Sequence, residues 1–180
     1  MSDAQVLLVY DTRFGHTFQV VQALERGLGR VAGVRPAHCF YADVTPDLLD
    51  RAHMVMIGGP TEGLSASSHI KRMFRHIGGF DLRGKYGFAF DTHPSGPLGG
   101  SAARYIEKEL AAMGLRLLEP RRSAIIVGRP RDAAGTDRLA LESGAEERFE
   151  ALGEALGHEL VAALAEHPPV RSGEPTAASA

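Results

Sequence analysis

Short apolar runs alternate with segments of helical periodicity along most of this chain, and that alternation constrains the fold more than any other feature. Five runs are rich in β-branched and other apolar residues and are interpreted as strands: residues 5–10, 34–41, 55–57, 86–90 and 124–127. Strands that alternate with helices favour a parallel sheet, because each right-handed crossover lays its helix against one face of the sheet. The sequence therefore predicts an α/β fold, a doubly wound five-stranded parallel sheet between two helical layers, which is a three-layer sandwich.

The C-terminal part of the chain carries the signals of one long helix. Ser143, followed three residues later by Glu146, forms a capping-box pattern, and the apolar periodicity after it predicts a helix to about Glu166. We interpret residues 129–141 before it as a polar connection. Residues 167–180 contain three prolines among small polar residues, which predicts a disordered tail behind a single domain of residues 1–166.

Composition narrows the possible partners and compartments. The net charge of −2 comes without a basic, aromatic-rich patch, which argues against binding of nucleic acid. No apolar run approaches the ~20 residues that span a bilayer. Residues 1–4 lack the pattern of a secretory signal, so we expect a cytoplasmic protein without a membrane span. The single cysteine, Cys39, rules out an internal disulfide, and His69 and His76 lack partners at metal-ligand spacing, so no metal site is predicted.

The turn after the first strand, residues 11–17, gathers polar and small residues at the start of a helix. A helix N-terminus leaves backbone N–H groups without acceptors and carries a partial positive charge, so an anion binds there readily. Thr12 and Thr17 can add hydroxyl donors, and Gly15 lets the backbone approach a ligand closely. We interpret this first loop as a phosphate cradle.

Two further loops follow the third and fourth strands. The second loop, residues 58–64, and the third loop, residues 91–100, are rich in glycine and proline. Glycines let backbone N–H and C=O groups reach the edge of a planar ligand. In an open parallel sheet the ligand lies beyond the carboxyl ends of the strands, so we expect the three loops to meet at one ligand site.

The first loop resembles the FMN phosphate loop of flavodoxins, whose pattern is roughly S/T-x-S/T-G-x-T after the first strand. Thr12, Gly15, His16 and Thr17 match in register, whereas Phe14 stands where the family has a hydroxyl. The second and third loops resemble a branch of the same superfamily with the motifs G-x-P-T and D-T-x-x-S-G-P-L-x-G. The resemblance implies a flavodoxin-like sheet with strand order 2-1-3-4-5, a non-covalently bound FMN, and electron transfer with a redox partner protein.

The same resemblance assigns loop residues to the cofactor and none to catalysis. The assigned residues are Thr12, Arg13, Phe14, Gly15, His16, Thr17, Pro60, Thr61, Glu62, Gly63, Asp91, Thr92, His93, Gly96, Leu98 and Gly99. From their position after the third strand, Gly63 is a candidate for the peptide that turns its carbonyl toward a reduced flavin, and Glu62 for a charge that lowers the flavin potential. The chain has no tryptophan. The loop side chains available to cover the ring are Phe14, Leu64, His93 and Leu98.

Two other functions stay open on the sequence. One is an FMN-dependent NAD(P)H:quinone oxidoreductase, because His16 after Gly15 is similar to that branch of the superfamily. The other is a binding or regulatory module without flavin, because Phe14 replaces a hydroxyl and the loops offer no tryptophan or tyrosine to stack on a ring. Other doubly wound folds fit less well, since the dinucleotide motif G-x-G-x-x-G, the Walker loop and the G-x-S-x-G elbow are missing.

Overall fold

The structure, a computed structural model, describes residues 3–95, 100–129 and 138–167. Within these ranges strands alternate with helices, as the sequence predicts. The strands are β1 (Ala4–Tyr10), β2 (Val34–Phe40), β3 (Met54–Glu62), β4 (Ser65–Ala66), β5 (Tyr86–Pro94), β6 (Arg116–Leu117), β7 (Arg122–Arg129) and β8 (Arg138–Leu141). The helices are α1 (His16–Gly29), α2 (Pro46–Arg51), α3 (Ser68–Ile77), α4 (Ala102–Ala112) and α5 (Ala145–Glu166), and a 3₁₀ turn, Tyr41–Asp43, follows β2.

The central sheet confirms the predicted parallel core. In the described residues the main strands lie in the order β2-β1-β3-β5-β7-β8. The first five of these are the five predicted strands in the predicted order, and they pair parallel with one another. β2 carries Pro36 and lies at the edge of the sheet, where the missing N–H of proline interrupts fewer ladder bonds.

The prediction of five strands was incomplete, because three short strands extend the sheet. β4 pairs antiparallel with β3, β6 pairs parallel with β5, and β8 pairs antiparallel with β7. The interpretation of residues 129–141 as a polar connection is therefore wrong for β8, and residues 130–137 lie outside the described ranges. Leu139 and Leu141 lie on the same face of β8, yet Leu139 is exposed and Leu141 is buried. This four-residue strand therefore shows no alternation that its sequence could reveal.

Two apolar clusters hold helices against the two faces of the sheet, which confirms the three-layer sandwich. On one face Leu8 and Phe88 pack with the apolar sides of α1 and α5, and on the other face Val9 and Ile57 pack with those of α3 and α4. Leu8 and Val9 face opposite clusters because successive side chains of a strand point to opposite faces. Each fully buried aliphatic or aromatic side chain contributes roughly 1.5–3 kcal/mol, so these strands fix the position of the loops that follow them.

Helices α1 and α5 pack closely because glycines lie in their contact. A Cβ on Gly27 would lie 1.9 Å from the backbone oxygen of Glu150, and a Cβ on Gly153 would lie 2.3 Å from the backbone oxygen of Leu24. Arg26 Nε donates a hydrogen bond to Glu150 across the same contact at 2.8 Å. This contact orients α1, whose N-terminus is the predicted phosphate cradle.

The start of α5 differs from the predicted capping box. The N-cap is Gly144, with φ of 76°, and no side chain caps the helix. The pairing of β8 with β7 continues to Glu142, whose N–H donates to the carbonyl of Ile125 at 2.9 Å. The chain must then turn sharply into the helix, and glycine adopts the left-handed conformation that this turn requires. The cap therefore falls one residue after Ser143.

The end of α5 at Glu166 is as predicted. The predicted tail begins at His167, and its residues 168–180 lie outside the described ranges. In the part of the chain that the structure describes, no helix combines the length and the apolar character that crossing a bilayer requires.

Candidate functional site

The three loops meet at one end of the sheet. They follow β1, β3 and β5, which are parallel neighbours, so their carboxyl ends lie at the same edge. The strand order reverses at β1, because the chain passes from β1 to β2 on one side and returns to β3 on the other. Open α/β sheets bind ligands in the crevice at such a switch point. This edge is the candidate site.

The first loop leaves the N-terminus of α1 open to an anion. Gly15, the N-cap, has φ of 85°, no side chain caps the helix, and the first turn contains no acidic residue. The N–H of Gly15 donates to Thr12 Oγ1 at 3.0 Å, which closes the loop and leaves the hydroxyl hydrogen of Thr12 for another acceptor. A Cβ on Gly15 would meet nothing within 4 Å, so the space before it is open. These donors fit a phosphate group.

Arg13 and Phe14 lie on the outside of the first loop. The guanidinium carbon of Arg13 lies 5.3 Å from the ring centroid of Phe14, in a cation–π contact. Phe14 is 70% exposed, so its ring does not fill the cradle. The departure from the flavodoxin pattern therefore removes a hydroxyl without blocking the loop, and Arg13 brings a positive charge to the same place.

His16 and Thr17 connect the first loop to neighbouring elements. The Nε2 atom of His16 lies 3.2 Å from the backbone oxygen of Leu139 in β8, to which a protonated Nε2 donates. Thr17 is buried, and its Oγ1 lies 3.0 Å from Oγ1 of the buried Thr92 in the third loop. In this pair one hydroxyl donates and the other keeps its own hydrogen for a second acceptor. Thr17 and Thr92 thus tie the first loop to the third.

The second loop is a tight hairpin. Pro60 and Thr61 are half-buried in β3, Glu62 is its exposed last residue, and β4 pairs with its end. The turn is formed by Gly63 and Leu64, with φ of 52° and 77°. Positive φ at both turn positions is typical of a type I′ hairpin. A left-handed conformation costs a residue with a side chain about 1–2 kcal/mol, so other contacts must hold Leu64 in place.

The third loop begins with a buried carboxylate. Asp91 is fully buried, and its Oδ2 accepts hydrogen bonds from Thr61 Oγ1 at 3.1 Å, Ser101 Oγ at 2.8 Å and the N–H of Ala103 at 2.9 Å. Its Oδ1 has no hydrogen-bond partner among the described residues. The carboxylate therefore holds the second loop and the start of α4 together.

The rest of the third loop is described in part. Thr92 is buried and contacts Thr17. His93 is half-buried, and its Nδ1 lies 2.9 Å from the carbonyl oxygen of Pro94. The remaining assigned residues lie outside the described ranges: Gly96, Leu98 and Gly99. Their contacts stay predictions.

Sequence reasoning missed a polar cluster around Asp11, the first residue of the first loop. Asp11 is buried, and its Oδ2 accepts a hydrogen bond from Ser67 Oγ at 2.6 Å and lies 3.4 Å from Nδ1 of His69. The ring of His69 stacks on Tyr41, with ring centroids 4.9 Å apart. Ser67 is also the N-cap of α3, where its hydroxyl accepts a hydrogen bond from the N–H of Ile70. The cluster joins the first loop to α3.

Exposed apolar side chains surround the crevice. Phe14 of the first loop, Leu64 of the second loop and Leu139 of β8 are 70%, 63% and 55% exposed. Leu139 belongs to this edge because its carbonyl contacts His16 at the start of α1. Apolar surface concentrated in one region marks a binding surface. The edge thus combines an anion cradle with side chains that can cover a flat ring.

The curated proteins that resemble this chain are longer than it is. No protein-family model matches the chain. Among curated proteins, the type A flavoprotein fprA of Rhodobacter capsulatus is 30% identical over 123 residues, which are 66% of this chain and 28% of that protein. The chain therefore spans little more than a quarter of the length of the curated relatives it matches.

Solved structures with the same fold include flavodoxins and flavodiiron proteins. A flavodoxin from the domain Archaea superposes with a TM-score of 0.68 at 16% identity, over 87% of this chain and 99% of that one. The rubredoxin oxygen:oxidoreductase of Desulfovibrio gigas superposes with a TM-score of 0.69 at 15% identity, over 91% of this chain and 38% of that one. The chain thus matches nearly the whole of the small proteins and one part of the large ones.

Proposed function

We propose that this chain, which has the fold of flavodoxins, binds FMN non-covalently at the edge formed by the three loops and carries electrons through the bound flavin. The observation that carries this proposal is the open N-terminus of α1 behind Thr12 and Gly15. Backbone N–H groups, a hydroxyl and the charge of Arg13 suit the phosphate of FMN, and no carboxylate lies in the first turn to repel it.

The residues of the first loop would hold the phosphate end of the cofactor. Thr12 donates its hydroxyl hydrogen, Gly15 allows a close approach, and the N–H groups of His16 and Thr17 point out of the helix start. Arg13 adds a charge from the outside of the loop. These contacts would orient the ring toward the second and third loops, because β3 lies beside β1 in the sheet and β5 lies beside β3.

The flavin ring would lie between apolar side chains and backbone edges. Phe14 of the first loop and Leu64 of the second loop are exposed and would lose contact with water when a ring binds. The hairpin of Pro60, Glu62 and Gly63 and the third-loop residue His93 would meet the ring edge. When bound, FMN supplies the redox chemistry, and the protein binds it, orients it and limits its contact with water.

Comparing FMN with riboflavin tests the proposal. Riboflavin has the same ring without the phosphate, so we expect the protein to bind FMN at least about tenfold more tightly, as a charge-assisted contact predicts. Protein purified without added flavin should stay yellow through desalting. A colourless protein that binds neither compound on titration would refute the proposal and favour a flavin-free module.

A matched pair of arginine variants tests the cradle itself. Arg13→Ala should weaken FMN binding about two- to fivefold, the range of an exposed charge contact, and should leave riboflavin binding unchanged. Arg72→Ala removes an equally exposed charge from α3 and should change neither. Equal effects of the two variants would mean that Arg13 acts only through net charge.

The partner and compartment of the protein also remain proposals. The aligned residues cover 28% of the curated relative fprA, so what the rest of that protein does is not carried over to this chain. We infer that electrons reach or leave the flavin through a separate redox protein, acting in the cytoplasm. Rapid oxidation of NADPH by a quinone, without any added reductase, would instead support the quinone oxidoreductase.

A further inference from the structure

We propose that Thr61 and Asp91, which the sequence assigns to the cofactor, are positioning residues that clamp the second loop onto the N-terminus of α4. This inference rests on the proposed FMN site, because the clamped turn is the one expected to meet the flavin. The clamp consists of Thr61, Asp91, Gly100, Ser101 and the first two residues of α4.

Asp91 provides the acceptor of the clamp. Its Oδ2 receives three hydrogen bonds, from Thr61 in β3, from the N-cap residue Ser101, and from the N–H of Ala103 in the first turn of α4. All of these donors are within 3.1 Å, and the carboxylate is fully buried. The charge of Asp91 therefore serves a helix N-terminus, which favours a negative group.

The hydroxyl oxygen of Thr61 links Asp91 to the N-terminus of α4. Its hydroxyl donates to Asp91 and accepts from the N–H of Ala102 at 2.9 Å. A hydroxyl is needed for this double role, since it is both a donor and an acceptor. Valine has nearly the same shape and suits a strand but has neither capacity. Thr61 is thus fully engaged inside the protein and has little left to offer a ligand.

A close backbone contact lies next to these hydrogen bonds. A Cβ on Gly100 would lie 2.0 Å from both the Cα and the carbonyl oxygen of Leu64, so the backbones of the two loops touch there. Leu64 has φ of 77°, a conformation that non-glycine residues rarely adopt without support. The clamp supplies that support, because Thr61 lies three residues before Leu64 and Ser101 lies next to Gly100.

The clamp therefore determines where the Gly63–Leu64 turn stands at the crevice. That turn presents the exposed side chain of Leu64 and the peptide of Gly63, both expected at the flavin ring. If the clamp opens, the turn loses these hydrogen bonds and keeps the two residue pairs between β3 and β4. Loss of the clamp should weaken FMN binding although neither Thr61 nor Asp91 would touch the flavin.

Amide hydrogen exchange and FMN titration on the full chain test this inference together. In the flavin-free protein, Thr61→Val should speed exchange of the Ala102 amide about tenfold, the loss of one hydrogen bond, whereas Thr61→Ser should keep it near wild type. The same Thr61→Val protein should bind FMN several-fold more weakly, and Thr61→Ser should restore the affinity.

Thr45 offers the matched control. Its hydroxyl caps α2 by accepting a hydrogen bond from the N–H of Leu48, so Thr45→Val also removes the side-chain acceptor of a helix cap, but on another element. Thr45→Val should leave both the Ala102 amide and FMN binding unchanged. Equal FMN affinity in Thr61→Val and Thr45→Val would overturn the clamp. Wild-type protein that binds no FMN would refute the proposed function, and Thr61 would then have only a structural role.

Discussion

Replacing Leu64 with asparagine should move stability and flavin binding in opposite directions. Leu64 has φ of 77° and is 63% exposed, so it occupies an unfavourable backbone conformation and buries little of its side chain in the flavin-free protein. Asparagine tolerates the left-handed conformation better than most residues. We therefore expect Leu64→Asn to stabilise the flavin-free protein by about 0.5–1 kcal/mol, part of the 1–2 kcal/mol that the conformation costs.

The same substitution should weaken FMN binding. Full burial of a leucine side chain is worth roughly 1.5–3 kcal/mol, and about two thirds of Leu64 is still exposed before the ring arrives. Its loss should therefore cost about 1–2 kcal/mol of binding, or roughly a five- to thirtyfold increase in the dissociation constant.

Two measurements on one preparation check both halves. Urea unfolding of the flavin-free protein gives the stability change, and quenching of FMN fluorescence gives the dissociation constant. Leu139→Asn is the matched control for the stability measurement alone, because Leu139 is 55% exposed but lies in the strand β8. It should lower stability slightly, since asparagine is unfavourable in strands. A less stable Leu64→Asn protein with unchanged FMN affinity would refute the reasoning on both counts.

Three further predictions concern the helix contact, one histidine and the flavin potential. Gly153→Ala should lower stability by about 1–3 kcal/mol through overpacking, because its Cβ would lie 2.3 Å from a backbone oxygen of α1, whereas Gly29→Ala, with open space around it, should not. Burial and the charge of a nearby lysine lower the pKa of His53 below 6.5, and its Nδ1 accepts the N–H of Gln5. The unfolded chain therefore takes up this proton first, so thermal stability should fall as pH drops below 6.5, and less so in His53→Asn, which keeps an acceptor. Glu62→Gln should raise the reduction potential of bound FMN in a spectroelectrochemical titration, and an unchanged potential would remove Glu62 from the site.

The parallel core could be predicted because its signals are local. Residues 55–57 and the neighbouring strands are continuous apolar runs, which predict a buried parallel sheet without any knowledge of distant partners. β8 could not be predicted, since it depends on pairing with β7 rather than on its own four residues. The capping box at Ser143 failed for the same reason, because the continued pairing of Glu142 decides where α5 can begin.

The place of the candidate site was predictable, but the roles of its residues were not. Three polar turns after three neighbouring strands indicate where a ligand binds, whatever their side chains do. Whether a hydroxyl faces the ligand or the protein depends on partners far along the chain, such as Thr17 with Thr92 or Thr61 with Ala102. The second loop shows the limit most clearly, because leucine is not a turn signal, and the left-handed Leu64 lies against Gly100, 36 residues further along the chain.

The site is therefore built from two kinds of loop with different tasks. The first loop keeps its donors available, with an uncapped helix start and a Gly15 that faces open space. In the second and third loops, Thr61 and Asp91 form hydrogen bonds with each other and with the N-terminus of α4. Phosphate binding would then depend on the hydrogen-bond donors of the first loop, and ring binding on where the clamp holds the second loop. Substitutions in the first loop should then discriminate between FMN and riboflavin, whereas substitutions in the clamp should weaken both flavins equally.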